Sequence, residues 1–183
     1  FTYYDMESDS GSAVKATCLS CSYVTVDSNF NLVEEGTFNS RLRKSRAFEV
    51  DAMLAHNIPL KKIQNEKLSN GELVEMLEGK FIELAKKGTI FVGYNSSGYD
   101  AILLNHMLHL NLKWPYITSK EQFDLLSVVR AASVFEPTSL NYLTNYKGNR
   151  SYKLQDMINA NNIKSEIAHN SLWDARATKD LGK

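Results

Sequence analysis

Phe1-Thr2-Tyr3-Tyr4-Asp5-Met6-Glu7-Ser8 opens the chain and decides its fold. Its Tyr, Thr and Phe residues favour a pleated, half-buried surface, so the stretch reads as a β-strand. Side chains two apart in a strand share a face, and Asp5 and Glu7 therefore point the same way. Residues 14–26 and 31–39 read as two more strands, joined into a hairpin by Asp27-Ser28-Asn29. The pattern then changes period. Ser69-Asn70-Gly71-Glu72 opens a helix in which Leu73, Leu77, Phe81 and Leu84 recur at helical spacing, and Lys86-Lys87-Gly88 closes it. A short buried strand over residues 89–94 follows, then a helix over 101–110. Residues 121–125 read as a strand running into a helix to 132, and residues 152–160 and 170–181 as the last helices. A short helix is expected near residues 50–56 in an otherwise loop-like region from 39 to 70, and residues 136–150 read as loop. Three antiparallel strands followed by alternating helix and strand give an α/β domain, a mixed β-sheet flanked by α-helices.

The 183 residues suit one domain with a sizeable core. Hydrophobic content of 43% and charged content of 23% are those of a globular chain, and no apolar run reaches the length of a membrane span. The start shows no secretory signal, so the expected location is the cytoplasm. It also lacks an initiator Met, which leaves residues 1–183 readable as the N-terminal part of a longer protein. Net charge is zero, and gives no global support for a nucleic-acid binder. Locally, Arg41, Arg43, Lys44 and Arg46 form a basic run, with Lys61 and Lys62 behind it; such a run contacts phosphates or simply lies solvated. Cys18 and Cys21 form a lone C-x-x-C with no second pair, and strand parity would send them to opposite faces. Ordinary core cysteines are expected.

Five groups carry chemistry. Asp5 and Glu7 repel each other on one strand face, and burying both is costly unless a cation sits between them. A solvated face would also explain them. Asp100 follows Gly93-Tyr94-Asn95-Ser96-Ser97-Gly98-Tyr99 and precedes an apolar run, where a helix N-cap is the plainer role. His169 and Asp174 lie in Ala168-His169-Asn170-Ser171-Leu172-Trp173-Asp174, where Ser171-x-x-Asp174 would also serve as a capping box. The two converge only if His169 lies on the loop before the helix and Asp174 on its first turn. Asp51, Asp124 and Asp156 lack this ordered context, and capping or surface roles suffice for them.

Taken in order, Tyr4-Asp5-Met6-Glu7, Gly93-Tyr94-Asn95 through Asp100, and His169 through Asp174 resemble the three motifs of the DEDDh 3′→5′ exonucleases. Within these the chain is similar to the nuclease domain of bacterial exonuclease I, a resemblance that extends to Phe123 through Ala131, Ser151-Tyr152-Lys153-Leu154 and Ala160 through Ile163. It implies a ribonuclease H-like fold forming a single exonuclease domain over 1–183. It implies a site in which Asp5, Glu7, Asp100 and Asp174 hold two Mg²⁺ or Mn²⁺ ions while His169 acts as general base. The implied partner is single-stranded nucleic acid, DNA favoured over RNA, cut to 5′-mononucleotides. Asn95 and Tyr99 would contact the substrate. His56, in Ala55-His56-Asn57-Ile58, would do so from the loop that touches the terminal nucleotide in many members, although Asn57 replaces their Gly. Phe91 and Trp173 are expected to pack in the core rather than stack on bases. Two other readings stay open: the same chemistry on RNA, as in oligoribonuclease, and a non-catalytic nucleic-acid-binding domain of the same fold.

Overall fold

A computed structural model describes residues 1–45, 47–56, 58–118, 122–164 and 170–183. One five-stranded sheet runs through it: β1 (Thr2–Ser8), β2 (Cys18–Val26), β3 (Leu32–Asn39), β4 (Phe91–Gly93) and β5 (Gln122–Asp124). Its order is β3-β2-β1-β4-β5. The first three strands pair antiparallel, and β4 and β5 continue parallel to β1. The opening strand is thus the centre of the sheet, as a mixed α/β domain requires.

Side-chain alternation along β1 divides the core in two. Tyr4 and Met6 join Cys21 and Tyr23 in a layer covered by α3 (Asn70–Lys86) and α4 (Asp100–Leu110). Tyr3 on the opposite face joins Val24 and Val92 under α5 (Leu125–Phe135), α6 (Leu154–Ala160) and α7 (Ser171–Leu181). Asp5 and Glu7 share the face of Tyr3 by parity, so they meet α7. In α3 the expected face, Leu73, Leu77, Phe81 and Leu84, is fully buried. Its Ser69 cap is reciprocal: the Glu72 N–H donates to Ser69 Oγ at 3.3 Å, and the Ser69 N–H to Glu72 Oε2 at 2.7 Å. Gly88 closes the helix at φ 75°, a left-handed conformation suited to glycine.

Three readings need correction. The region before α3 holds two short helices, the expected α1 (Val50–Ala55) and an unforeseen α2 (Leu60–Gln64) that buries only Ile63. The second strand begins at Cys18 rather than residue 14. The two cysteines do not face opposite ways: Glu7 pairs with Ser20 but Ser8 with Cys18, so Leu19 is an extra residue in a β-bulge. The bulge resets parity and places Cys18 and Cys21 in the same layer. Burial pushes both thiols up, which keeps them protonated core residues.

Gly93 ends β4 where the chain folds tightly back on itself. A Cβ there would lie 2.4 Å from Ser96 Cβ, an atom fixed to the backbone of a buried residue. Gly79, inside α3, has open space around it. Gly93→Ala is expected to destabilise the fold by about 1–3 kcal/mol through overpacking. Gly79→Ala is expected to stabilise it by about 0.5–1 kcal/mol through helix propensity. Urea denaturation of the two variants measures both.

Candidate active site

The end of β1 and the start of α7 build the centre. Asn170 caps α7, accepting the N–H groups of Leu172 at 3.2 Å and Trp173 at 3.4 Å. The helix is then docked by hydroxyls: Ser171 Oγ lies 2.8 Å from Ser20 Oγ and 2.7 Å from Ser22 Oγ on β2, and Ser22 Oγ lies 2.8 Å from Thr37 Oγ1 on β3. Farther along, Arg176 Nε donates to Glu35 Oε2 at 2.9 Å and ties α7 to β3. Asp174 stands three residues beyond Ser171 and therefore on the same helix face. This brings one carboxylate oxygen each from Asp5, Glu7 and Asp174 within 4.8 Å of one another. With Asn170 as the cap, the N3 position of a capping box falls on Trp173, and Asp174 stands one residue beyond it.

Asp100 borders this trio without belonging to it. It begins α4, yet its side chain does not cap that helix. Its Oδ1 accepts the Met6 N–H at 3.0 Å, between Asp5 and Glu7 in sequence. Burial, then the neighbouring charges of Asp100, Glu7 and Asp174, hold the Asp5 carboxyl well above the usual range. Glu7 is pushed up to about 8 by burial, then by Asp174 and Asp100. Burial raises Asp100 to about 7, against the lowering effect of its backbone hydrogen bonds. A set of crowded, partly buried oxygen donors of one sign fits a hard divalent cation, which replaces their mutual repulsion with attraction.

Asp5, Asn95 and Asp174 line a groove of about 960 Å³. Asn95 is exposed at φ 59°. Asp124 holds this turn: it accepts the N–H groups of Asn95 at 2.8 Å and Ser97 at 3.1 Å, the Ser97 hydroxyl at 2.5 Å and the Leu126 N–H at 3.1 Å. Capping α5 is the role expected of it; clamping the turn that leads into Asp100 is one that local spacing could not reveal. Asp156 accepts from the Ser151 hydroxyl, and Asp51 sits exposed in the first turn of α1.

Tyr99 and His56, the other expected substrate contacts, have hydrogen-bond partners within the chain. The Tyr99 hydroxyl donates to the Ser10 carbonyl and lies 2.5 Å from Ser8 Oγ, bracing the end of β1. His56, the C-cap of α1, is buried, and its Nδ1 accepts the Ile58 N–H at 3.1 Å. Phe91 is fully buried, while Trp173 is half-buried with the Arg176 guanidinium 4.7 Å above its ring. His169, the expected base, lies outside the described residues, as do Asn57 and Arg46 of the loops read as nucleic-acid contacts.

The chain belongs to the RNase_T exonuclease family, which it matches over residues 3–181. Exodeoxyribonuclease I of Haemophilus influenzae is 25% identical over 188 residues, covering all of this chain and 39% of that protein. Exodeoxyribonuclease I of Buchnera aphidicola from Acyrthosiphon pisum is 31% identical over 104 residues, 55% of this chain and 25% of its own. Escherichia coli exonuclease I, solved with a dT13 oligonucleotide, superposes with a TM-score of 0.91 at 22% identity, over all of this chain and 40% of that one. The fold is therefore the ribonuclease H-like one. The chain spans about 40% or less of the length of each of these relatives. Among the described residues no helix is long and apolar enough to cross a membrane.

Two measurements follow from this geometry. Asp124→Ala strips an acceptor from three backbone N–H groups and is expected to cost about 1–2 kcal/mol, read as a lower urea midpoint. The acids set a pH dependence. Glu7 rises from 4.5 to about 8 on folding and Asp100 from 3.8 to about 7. The native state thus binds more protons than the unfolded state between about pH 4 and 8, and their contribution to stability falls as pH rises through that window. Metal-free protein is expected to melt at lower temperature at pH 8 than at pH 6. Added Mn²⁺ is expected to raise the melting temperature more at pH 8, and Glu7→Gln to flatten the metal-free dependence. Thermal melts in EDTA and in Mn²⁺ at the two pH values read both effects.

Proposed function

We propose that this chain is a metal-dependent 3′→5′ exonuclease domain that hydrolyses single-stranded DNA and releases 5′-mononucleotides. One observation carries the reading: Asp5, Glu7 and Asp174, from opposite ends of the sequence, place carboxylate oxygens within 4.8 Å of one another, and Asp5 and Asp174 line a groove. A structural domain gains nothing from such a set, because the charges repel. Two Mg²⁺ or Mn²⁺ ions held by Asp5, Glu7 and Asp174, with Asp100 beside them, would neutralise the phosphodiester and activate a water.

The chain's own residues supply the rest. His169 takes the proton from the attacking water. Asp100, through the Met6 N–H, holds β1 so that Asp5 and Glu7 stay on the site face. Asn95 offers an exposed amide to the strand, and Asp124 fixes the turn that presents it. The relatives' names and the oligonucleotides in their structures, dT13 and dA16, support single-stranded DNA as the substrate.

The test uses 5′-labelled single-stranded DNA, single-stranded RNA and duplex DNA of one sequence, each in Mg²⁺, Mn²⁺ and EDTA, beside an Asp5→Ala variant. The expected result is a ladder shortening from the 3′ end of single-stranded DNA, abolished by EDTA and by Asp5→Ala. Faster loss of RNA would move the substrate class. Tight binding without cleavage in any metal would replace the enzyme with a binding domain.

A further inference from the structure

The acids of β1 have hydroxyls as their neighbours across the sheet. In the β1–β2 ladder Asp5 pairs with Ser22 and Glu7 with Ser20. Residues paired across two strands point to the same face, so the two serines stand beside the two acids. Ser171, the first residue of α7, is bonded to both: its Oγ lies 2.8 Å from Ser20 Oγ and 2.7 Å from Ser22 Oγ. All three serines are buried. The chain of hydroxyls leaves the interior from Ser22 to Thr37 Oγ1, at 2.8 Å, on an exposed residue of β3. Each hydroxyl has one proton to give and two lone pairs to accept with, so every member of the chain is satisfied.

Apolar contact alone would seat α7 less sharply. Its core side chains include Ala175 and Leu181, and burial of such groups is non-directional, so it does not fix a helix along its axis. A hydrogen bond does, because it holds its two atoms within a few tenths of an ångström. Two such bonds tie the start of α7 to the strand positions opposite Asp5 and Glu7. One turn on, the Thr178 hydroxyl donates to the Asp174 carbonyl at 2.7 Å and stiffens the helix where that acid projects. We infer that Ser171 is a positioning residue: its hydroxyl, held by Ser20 and Ser22, sets the Asp174 carboxylate against those of Asp5 and Glu7. Under the proposed function, on which this step rests, affinity for a divalent cation follows from that placement.

The test uses Mn²⁺ alone, without nucleic acid, and follows binding by the electron paramagnetic resonance signal of the free ion. Ser171→Ala is expected to weaken binding roughly 10-fold or more, the usual effect of removing a group that orients a metal ligand. Ser171→Thr keeps the hydroxyl and is expected to retain most of the native affinity. Ser22→Ala removes one of the two partners, is expected to weaken binding in the same direction, and serves if Ser171→Thr does not fold. Ser69→Ala strips the cap of α3, a different helix, and so lowers stability while leaving Mn²⁺ affinity at the native value. Unchanged affinity in Ser171→Ala overturns the inference, and so does an equal loss in Ser69→Ala. A second measurement needs no metal. Trp173 adjoins Asp174, and Trp114 is the other of the two tryptophans. In a Trp114→Phe background in EDTA, acrylamide quenching of Trp173 is expected to increase with Ser171→Ala and to stay constant with Ser69→Ala. That increase, with no Mn²⁺ binding by the native protein, would keep Ser171 as the residue that places Asp174 and remove the metal-dependent function. Constant quenching in Ser171→Ala would show α7 seated without the hydroxyl and overturn the inference.

Discussion

Like charges held close together are the constraint around which this fold is arranged. Three carboxylates within 4.8 Å of one another repel; at an effective dielectric near 20 each such pair costs on the order of 4 kcal/mol when both are ionised. Something must hold them against that force. On one side β1 lies at the middle of the sheet, hydrogen-bonded to both neighbours, so Asp5 and Glu7 cannot drift. On the other, α7 is pinned at its first residue by hydroxyls of β2 and again at Arg176 by Glu35 of β3. Asp100 adds charge to the crowd, but its hydrogen bond to the Met6 N–H fastens α4 to the same strand.

The protein thus spends ordinary packing energy on an unfavourable electrostatic arrangement. The two core layers flank β1 on either face and make its register hard to slip, since a shift of one residue would bury Asp5 and Glu7 against α3 and expose Tyr4 and Met6 to the site. Asp124 does for the second motif what the serines do for the third. It gathers the turn after β4 and the start of α5 into one anion-capped unit, and so sets where Asn95 points. A site that needs placement within a fraction of an ångström is built on strand ends and helix starts, where the backbone is already fixed.

Much of this was legible in the sequence because it depends on short-range period. Alternation placed Asp5 and Glu7 on one face, and the 3.6-residue repeat of Leu73, Leu77, Phe81 and Leu84 marked the inner side of α3. What escaped reading depends on distant partners. No local pattern announces that Leu19 bulges and returns Cys18 to the layer of Cys21, because the bulge exists only against β1. The Asp124 clamp spans 29 residues to Asn95. Ser171 looked like half of a capping box, and only the approach of β2 turns it into the dock for α7. Helix α2 buries one side chain, too little for an apolar stripe to show.

The neutral net charge conceals the electrostatics rather than denying them. Asp5, Asp156 and Asp174 line the same groove as Arg130, Arg150 and Lys153, so charges of both signs meet there and cancel in the sum. The two sets of charges answer to different conditions: salt screens the exposed cations, while pH and divalent cations govern the partly buried acids. Total charge, the first number read from a sequence, is then the least informative one for a site built from both signs.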